Sequence, residues 1–468
     1  GGTATDLFQF GSNGRLNGQI NGGGGAGVDR IEASDGDNIF NVLGTNAGTV
    51  DVNSASTSVA ATIFDDVEQI FGRSGNDQFI FAATGTMTGL VSGGLGTADV
   101  IATTDVNGDT FVLTGIDSGN LFDEAPPVVP ATLRTASGFT GIENLTGGAG
   151  GDGFTIQAAA TLNGNITGNG GNDVVLVQTD VPMTSGGTVN GTVDGGAGDD
   201  SITLQQFATV NGDLLGGTGD DNFVLGNNST VDGDLNGDAG TNTLQVGTNV
   251  TITGTVSNVD VTVPPINALN PAQPNANTFT VRRTGNVLDV LVQDDNAGNP
   301  DQLLQFFIPT GGQFNIQING TPGNDTLIVD YAAGGEVPAD ITFTGGTGTD
   351  RLRVVGLGSS GGATSTGTYE PDPGVTGGRR LVVNSGTQDR TISVTGLTQA
   401  EFEAFASLAY ESPNGMSAVN LAGNTAGSIF AQSALQVTDG TIETLYMIDV
   451  AAVRLDLDEA DGAGNSAD

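Results

Sequence analysis

Two adjacent stretches read TVNGTVDGGAGDDSITLQQFA (188–208) and TVNGDLLGGTGDDNFVLGNNS (209–229), each 21 residues long. They align without a gap, and each places short runs of alternating apolar residues on both sides of a glycine-rich turn. Alternation with period two indicates strands that turn one face toward a core. Because no single coil could bury its own apolar face, a repeat of this kind predicts coils stacked on one another.

The same turn recurs along the chain. The copies are GGAGVD (24–29), GRSGND (72–77), GGLGTAD (93–99), GGAGGD (147–152), GNGGND (168–173), GGAGDD (195–200), GGTGDD (216–221), GDAGTN (237–242), GTPGND (320–325) and GGTGTD (345–350). Between positions 152 and 242 the turns end every 21 residues, apart from one step of 27. We assign the longer step to an insertion, QTDVPM (178–183).

The apolar residues of these coils are expected to form continuous inward columns. Two columns precede the turns, Leu162/Val189/Val210/Val231/Ile252 and Ile166/Val193/Leu214/Leu235/Val256, separated by a glycine column, Gly164/Gly191/Gly212/Gly233/Gly254, that fits a bend. The predicted fold is all-β: a right-handed parallel β-helix or β-roll solenoid with coils of about 21 residues. Two-sided and three-sided coils both fit the repeat, and an antiparallel meander is the alternative, although it would need hairpin turns.

Composition narrows the classes of function. Asp and Glu total 53 against 12 basic residues, for a net charge of −41, so nucleic acid and anionic membranes are poor partners. Divalent cations could neutralise such a chain, since carboxylate and carbonyl oxygens suit Ca²⁺. The absence of Cys and His excludes zinc, thiolate and Ser-His-Asp chemistry. No apolar run is long enough for a transmembrane helix, and Gly1 is expected to begin a mature protein or a cut fragment.

The turn GGxGxD, followed by alternating apolar residues, resembles the calcium-binding repeat of RTX (haemolysin-type) proteins. The phrases at 66–75 and 141–150 also resemble those of large bacterial surface and secreted proteins. The resemblance implies that Ca²⁺ binds between successive turns through glycine carbonyls and aspartate carboxylates. The implied ligands are the aspartates that end the turns, together with the aspartate before the last in the two turns that end in DD. They are Asp29, Asp77, Asp152, Asp173, Asp199, Asp200, Asp220, Asp221, Asp325 and Asp350.

This chain departs from the RTX pattern, in which the motif repeats every nine residues without interruption. Here that step occurs only at 29–38, so at most one edge of the stack would carry ions. No ion is expected near Asn242, where the carboxylate is missing. The alternative is that these aspartates are turn formers only, because Gly, Asn and Asp dominate turns in general.

Four segments are predicted. Residues 1–262 form the solenoid, 263–278 a linker or cap, 279–356 a β-rich region or second short solenoid, and 357–468 a β-rich cap or assembly module. A Pro-containing excursion loop is expected at 121–133, a hairpin at 278–295 and a solvated tail or cut junction at 458–468. The single predicted helix is LTQAEFEAF (397–405), with Thr398 and Glu401 as a capping box.

We therefore expect a calcium-stabilised extracellular structural protein of a bacterial surface layer, matrix or filament, which self-associates and is not an enzyme. The alternative is an adhesin that binds carbohydrate or ice through outward ladders, Thr161/Thr188/Thr209/Thr230/Thr251 and Asn163/Asn190/Asn211/Asp232/Thr253. A polysaccharide lyase or epimerase is less favoured, because Lys and His are absent and the Arg pairs of the second half suit surface ion pairs.

Overall fold

The computed structural model describes residues 1–11, 14, 16–53, 61–123, 132–181, 183–247, 250–263, 276–285, 287–294, 301–307, 314–356, 365–384, 389–411, 420–423, 435–438, 444–448, 450 and 452–456. Most of the predicted linker (264–275), the middle of the excursion loop (124–131) and the predicted tail (458–468) lie outside these ranges. The chain divides into two compact units, Gly1–Asn258 and Val259–Asp468.

The described strands of the first unit are short and numerous. In chain order they are Leu7–Gln9 (β1), Gln19–Asn21 (β2), Arg30–Glu32 (β3), Ile39–Gly44 (β4), Ala47–Asp51 (β5), Thr62–Asp65 (β6), Gln69–Arg73 (β7), Gln78–Phe81 (β8), Val91–Gly94 (β9), Val100–Thr103 (β10), Asp109–Gly115 (β11), Ser118–Asp123 (β12), Thr132–Leu133 (β13), Phe139–Thr140 (β14), Asn144–Thr146 (β15), Gly153–Ile156 (β16), Thr161–Leu162 (β17), Ile166–Thr167 (β18), Val174–Val177 (β19), Thr188–Val189 (β20), Val193–Ala197 (β21), Ser201–Leu204 (β22), Thr209–Val210 (β23), Leu214–Thr218 (β24), Asn222–Leu225 (β25), Thr230–Val231 (β26), Leu235–Asn236 (β27), Thr243–Val246 (β28), Thr251–Ile252 (β29) and Val256–Ser257 (β30).

From β15 onward the first unit is built of three parallel sheets. One contains β16, β19, β22, β25 and β28, the second contains β15, β18, β21, β24, β27 and β30, and the third contains β17, β20, β23, β26 and β29. Ser201 pairs with Asn222 and Val193 with Leu214, so equivalent residues of these coils lie 21 positions apart. Each coil here has three sides, which the sequence had left open.

The predicted apolar columns form the core of these coils. Ten residues of the two columns before the turns are at most 7% exposed, and the alternating residues after the turns are also buried. The glycine column lies at the bend between the third and second sheets. There a Cβ on Gly212 would stand 2.5 Å from the carbonyl oxygen of Gly191, so the bend requires glycine.

The earlier part of the first unit contains two antiparallel excursions of the same design. The first excursion is β4, β5 and β6, and the second is β11, β12 and β13. β4 also pairs in parallel with β8, and β11 with β16. Both pairings stack two phenylalanine rings in the core, Phe40 on Phe79 at 5.0 Å and Phe111 on Phe154 at 4.9 Å between centroids. The two excursions therefore share a local design, although the first belongs to the 12-stranded sheet and the second to the 21-stranded sheet.

The second unit has longer strands. They are Asp260–Val263 (β31), Asn277–Thr284 (β32), Val287–Asp294 (β33), Gln302–Phe307 (β34), Phe314–Asn319 (β35), Thr326–Asp330 (β36), Ala339–Thr344 (β37), Asp350–Val355 (β38), Thr366–Pro371 (β39), Arg379–Asn384 (β40), Asp389–Thr395 (β41), Leu397–Glu403 (β42), Ser407–Glu411 (β43), Asn420–Gly423 (β44), Leu435–Thr438 (β45), Thr444–Ile448 (β46) and Val453–Asp456 (β47). Parallel series run through β31, β35, β37 and β41, through β32, β36, β38, β42 and β46, and through β39, β43 and β47. β32 and β33 form the predicted hairpin, with Thr284 opposite Val287.

The all-β prediction is confirmed, and the long parallel sheets are consistent with a β-solenoid or β-roll. The predicted helix at 397–405 is wrong, because its first seven residues form β42. Ala400 pairs with Leu352 on one side and Leu445 on the other. Strand pairing along both edges outweighs the local capping signal, and the described residues contain no helix. Within the same residues, therefore, no helix is long and apolar enough to cross a membrane.

Candidate functional site: ladders of buried carboxylates

The aspartates that end the glycine-rich turns lie directly before a strand or, for Asp350, at its first residue, and their side chains turn inward. The predicted ligands with this position are at most 2% exposed: Asp29, Asp77, Asp152, Asp173, Asp200, Asp221, Asp325 and Asp350. Such burial is unusual for an ionisable group and requires specific partners.

These side chains are joined from coil to coil by hydrogen bonds. In the longest series, the backbone N–H of each residue donates to the side-chain Oδ1 of its equivalent in the next coil. The N–O distances are 2.5 Å from Asp109 to Asp152, 2.6 Å from Asp152 to Asp173, 2.7 Å from Asp173 to Asp200, 2.9 Å from Asp200 to Asp221 and 2.8 Å from Asp221 to Asn242. We call such a series a carboxylate ladder and its members rungs.

Three shorter ladders have the same pattern. In the first unit, one runs through Asp6, Asp29 and Glu68, and another through Asn38, Asp77, Asp99 and Glu143. In the second unit, one runs through Asn277, Asp325 and Asp350. Sequence reasoning did not assign Asp6, Glu68, Asp99, Asp109 or Glu143 to the site. The signal that could have found them is an acidic residue directly before an alternating strand, whatever the length of the turn.

In most turns the first glycine is required by the side chain that ends the turn; in the turn 24–29 it is Gly22, not Gly24, that lies against the Asp29 carboxylate. A Cβ on Gly168 would stand 2.1 Å from Oδ2 of Asp173 and 2.1 Å from the carbonyl oxygen of Gly195. The same overlap would occur in four other turns. There the Oδ2 atom of the turn's own aspartate lies 2.0 to 2.4 Å from the position that a Cβ would take on the first glycine, which is Gly72, Gly147, Gly195 or Gly216. The second carboxylate oxygen therefore fills the space that a side chain would need.

That second oxygen has no hydrogen-bond partner on most rungs. Among the residues that the structure describes, no partner is found for the buried Oδ2 atoms of Asp77, Asp99, Asp173, Asp200, Asp221 and Asp350. Asp152 and Asp325 differ, because the N–H groups of Gly148 and Thr321 reach their Oδ2 atoms from within the turn. The Oδ2 atom of Asp173 lies near the carbonyl oxygen of Gly195. Both oxygens are 2.1 Å from the Cβ position of Gly168, so they are at most 4.2 Å apart.

Asn242 shows which chemistry this position favours. Its Oδ1 accepts the N–H of Asp221 like any other rung, at 2.8 Å. Its Nδ2 donates to the carbonyl oxygens of Gly237, at 2.8 Å, and of Asn258, at 3.1 Å. The second atom of this rung therefore faces backbone acceptors, and an aspartate in such surroundings needs either a proton or a cation between the oxygens.

The titration of these groups reflects the same environment. Burial raises the pKa of Asp77 and Asp173 to about 7, and neighbouring carboxylates add to the effect. Burial likewise raises the pKa of Asp99 and Asp200 to about 6. The N–H from the adjacent rung opposes each shift, because it stabilises the charged form.

Two of the predicted ligands do not belong to the ladders. Asp199 and Asp220 precede the rungs Asp200 and Asp221 and are exposed to solvent. Their Oδ1 atoms accept backbone N–H groups of the next coil, from Asp220 at 2.9 Å and from Thr241 at 2.7 Å. The structure therefore places these two carboxylates on the outside of the turn, where they fix its stacking.

A further group of carboxylates lies near the first rung of the longest ladder. Asp105, Asp109 and Asp123 each place one oxygen within 4.8 Å of the others. Sequence analysis did not single out this group, whose members are brought together by the second excursion.

No protein-family model matches this chain, and no curated protein matches it either.

We predict that Gly168→Ala destabilises the fold by about 1–3 kcal/mol or more, because its Cβ would overlap the carboxylate and a backbone carbonyl. Gly170→Ala is the matched control from the same turn. Its Cβ would meet nothing closer than 3.9 Å, so we expect a change within about 0.5 kcal/mol. Urea unfolding of both variants measures the difference, and equal midpoints would contradict the packing described for the first glycine.

We predict that the metal-free protein loses stability as the pH rises through about 6 to 7, where Asp99, Asp200, Asp77 and Asp173 ionise in the folded state. The pKa values of these groups in the folded protein lie above the ordinary 3.8. Their contribution to the free energy of unfolding is therefore complete below pH 4 and is lost as the pH rises above the folded-state pKa values. Unfolding in EGTA between pH 4 and pH 8 measures this dependence.

The variant Asp200→Asn tests whether ionisation of a buried rung causes this loss of stability. At pH 8 without metal we expect it to be more stable than the parent by about 1–3 kcal/mol, since an amide can donate where Oδ2 cannot. Asp199→Asn, on the exposed side of the same turn, should stay within about 0.5 kcal/mol. A destabilised Asp200→Asn protein would show that the second atom of the rung does not face acceptors.

Proposed function

We propose that this protein is a calcium-stabilised structural protein of the cell surface or extracellular matrix. In this proposal the chain folds as a right-handed parallel β-solenoid with coils of about 21 residues, as the register offset suggests. Ca²⁺ neutralises the rungs between successive turns, as the resemblance to RTX repeats implies. The protein then acts as a rigid spacer or lattice building block, without enzymatic activity.

The observation that carries the calcium proposal is the unpartnered second oxygen of six rungs. In the turns of Asp99, Asp173, Asp200 and Asp221, a backbone carbonyl oxygen of the next coil also lies against the first glycine, near the carboxylate. Several carboxylate and carbonyl oxygens at one place are the ligand types that Ca²⁺ prefers, and they carry no soft donor that would favour another metal. A cation there would also offset the repulsion between neighbouring rungs.

The contacts of the outward ladders support a structural role over carbohydrate or ice binding. The side-chain amide of Asn190 donates to Asn163 at 2.8 Å, and that of Asn211 donates to Asn190 at 2.7 Å. Thr253 donates to the carbonyl oxygen of Asp232 at 2.8 Å. These groups hold adjacent coils together, so fewer of their donors and acceptors are open to a ligand.

Location follows from the same chemistry. Calcium is too scarce in the cytosol to fill weak sites, whereas outside the cell it would couple ion binding to folding after export. Strand edges at the ends of a parallel stack favour self-association with another copy of the chain. These points support an extracellular, bacterial, self-assembling protein.

We predict that millimolar Ca²⁺ raises the melting temperature of metal-stripped protein at pH 8 by more than about 5 °C, while Mg²⁺ does not. Mg²⁺ is the control because it demands six close ligands in octahedral geometry and dehydrates reluctantly. The increase should be smaller at pH 5, where protons occupy the rungs. It should also be smaller in Asp173→Asn and Asp200→Asn, which remove the charge from two adjacent rungs. Identical melts in Ca²⁺ and EGTA would refute the calcium mechanism and leave the ladders as protonated hydrogen-bonding series.

We predict that the purified protein forms filaments or sheets when Ca²⁺ is added, visible by negative-stain electron microscopy and as a rise in sedimentation coefficient. Chelation should reverse the assembly. A protein that stays monomeric at high concentration with calcium, while binding a glycan array, would contradict the structural proposal and favour the adhesin.

A further inference from the structure

The guanidinium of Arg134 is buried at the start of the longest ladder. The Arg134 side chain is 1% exposed and lies among the carboxylates of Asp105, Asp109 and Asp123. Its Nε is 2.6 Å from Asp109 Oδ1, its Nη2 is 3.3 Å from Asp123 Oδ1 and also contacts Asp105, and its Nη1 donates to the carbonyl oxygen of Ala82 at 2.7 Å. A positive charge is therefore held in a preformed ring of oxygen atoms.

The backbone holds this side chain in place. The N–H of Arg134 donates to the carbonyl oxygen of Leu121 at 2.8 Å, and the carbonyl oxygen of Arg134 accepts the N–H of Met87 at 2.7 Å. Arg134 follows β13 directly, and β13 pairs with the end of β12 that carries Asp123. Both the arginine and one of its acidic partners thus belong to the second excursion.

The negative charge of the surrounding carboxylates exceeds the single positive charge of the arginine. Within the described part of the chain, three carboxylates surround one guanidinium, and the fully buried Asp109 has an Oδ2 atom without a hydrogen-bond partner. A buried carboxylate without a partner is costly, and one monovalent cation cannot compensate three carboxylates. The ring has the charge and the ligand types of a divalent-cation site.

The first excursion provides an internal comparison. Its equivalent of Asp109 is Asn38, since the N–H of Asn38 donates to Asp77 as that of Asp109 donates to Asp152. Asn38 is neutral, and its amide is satisfied by Ser34 and by backbone oxygens of the same turn. The corresponding position of the two excursions is therefore built in two ways, either with neutral side chains or with acidic side chains around a cation.

We propose that Asp105, Asp109, Asp123 and the carbonyl oxygen of Ala82 form a cation site whose resident cation is the guanidinium of Arg134. A divalent cation such as Ca²⁺ or Mn²⁺ occupies the same ring once the guanidinium is removed. This site does not depend on calcium binding by the other rungs. It makes the first rung of the longest ladder independent of dissolved metal.

The test uses the full chain with Arg134→Ala. We expect this variant to melt at a lower temperature than the parent in EGTA and to recover most of the loss in Ca²⁺ or Mn²⁺. Isothermal titration with Mn²⁺, checked by the loss of its free-ion electron paramagnetic resonance signal, should count one more bound ion per chain than the parent does. If the ladders themselves bind no ion, the parent count is zero and the variant count is one, so the two proposals are judged separately.

The control transplants the neutral side chains of the first excursion. The triple variant Arg134→Ala, Asp105→Ser, Asp109→Asn should recover stability in EGTA and bind no additional Mn²⁺. A folded Arg134→Ala protein that binds no extra ion would overturn the proposal. So would a triple variant as unstable as the single one, since Arg134 would then act by packing. If Arg134→Ala unfolds with and without metal while the triple variant folds, a divalent cation does not replace the guanidinium, and the proposal is equally wrong.

Discussion

The hydrogen bond from the backbone N–H of one rung to the carboxylate of the next organises the turns of this protein. The N–H lies where a turn enters a strand and is enclosed by the core, so it must find an acceptor. An aspartate of the following coil supplies one, and its carboxylate then occupies the space above the first glycine of its own turn. The contact recurs where the spacing differs, as between Gly93 and Asp99, so it does not depend on one turn length.

The same interaction explains how the ladders end. Glu68 and Glu143 close two of them with a longer side chain that reaches back to Asp29 and Asp99. Asn242 closes the longest one with an amide, and Asn38 and Asn277 open two others. A terminal rung lacks a neighbour on one side, which favours side chains that bring their own donors or reach further. The terminal rungs Asp6, Asp109 and Asp350 are aspartates like the middle ones, and Asp109 is the one that lies beside Arg134.

The sequence predicted those parts of the fold that repeat. Leu162, Val193 and their equivalents are buried as expected, because period-two alternation in a fixed 21-residue register leaves one arrangement for the strands. Eight of the ten predicted site residues are rungs, since the turn sequence specifies both the glycine and the aspartate. Whether these rungs bind calcium remains a prediction that the geometry does not test.

What sequence reasoning missed depends on contacts between distant residues. Glu401 and Phe402 read locally as a capped helix, but Arg353 and Val354 pair with them as a neighbouring strand. Arg134 meets Asp105 across 29 positions only because an excursion returns to the coil. The turn 93–99 is recognisable in the sequence with one residue more than the others, yet Asp99 was not assigned to the site, and the sequence before Asp109 does not match the motif.

The ladder also gives every middle coil the same two surfaces. Each presents a backbone donor to the coil after it and a carboxylate acceptor to the coil before it, as the coils of Asp173, Asp200 and Asp221 do. Coils of this kind are interchangeable, so copying or deleting 21 codons between two turns would leave both ends of the ladder intact. Recombination within the gene can therefore lengthen or shorten the protein by whole coils, and no new core has to evolve.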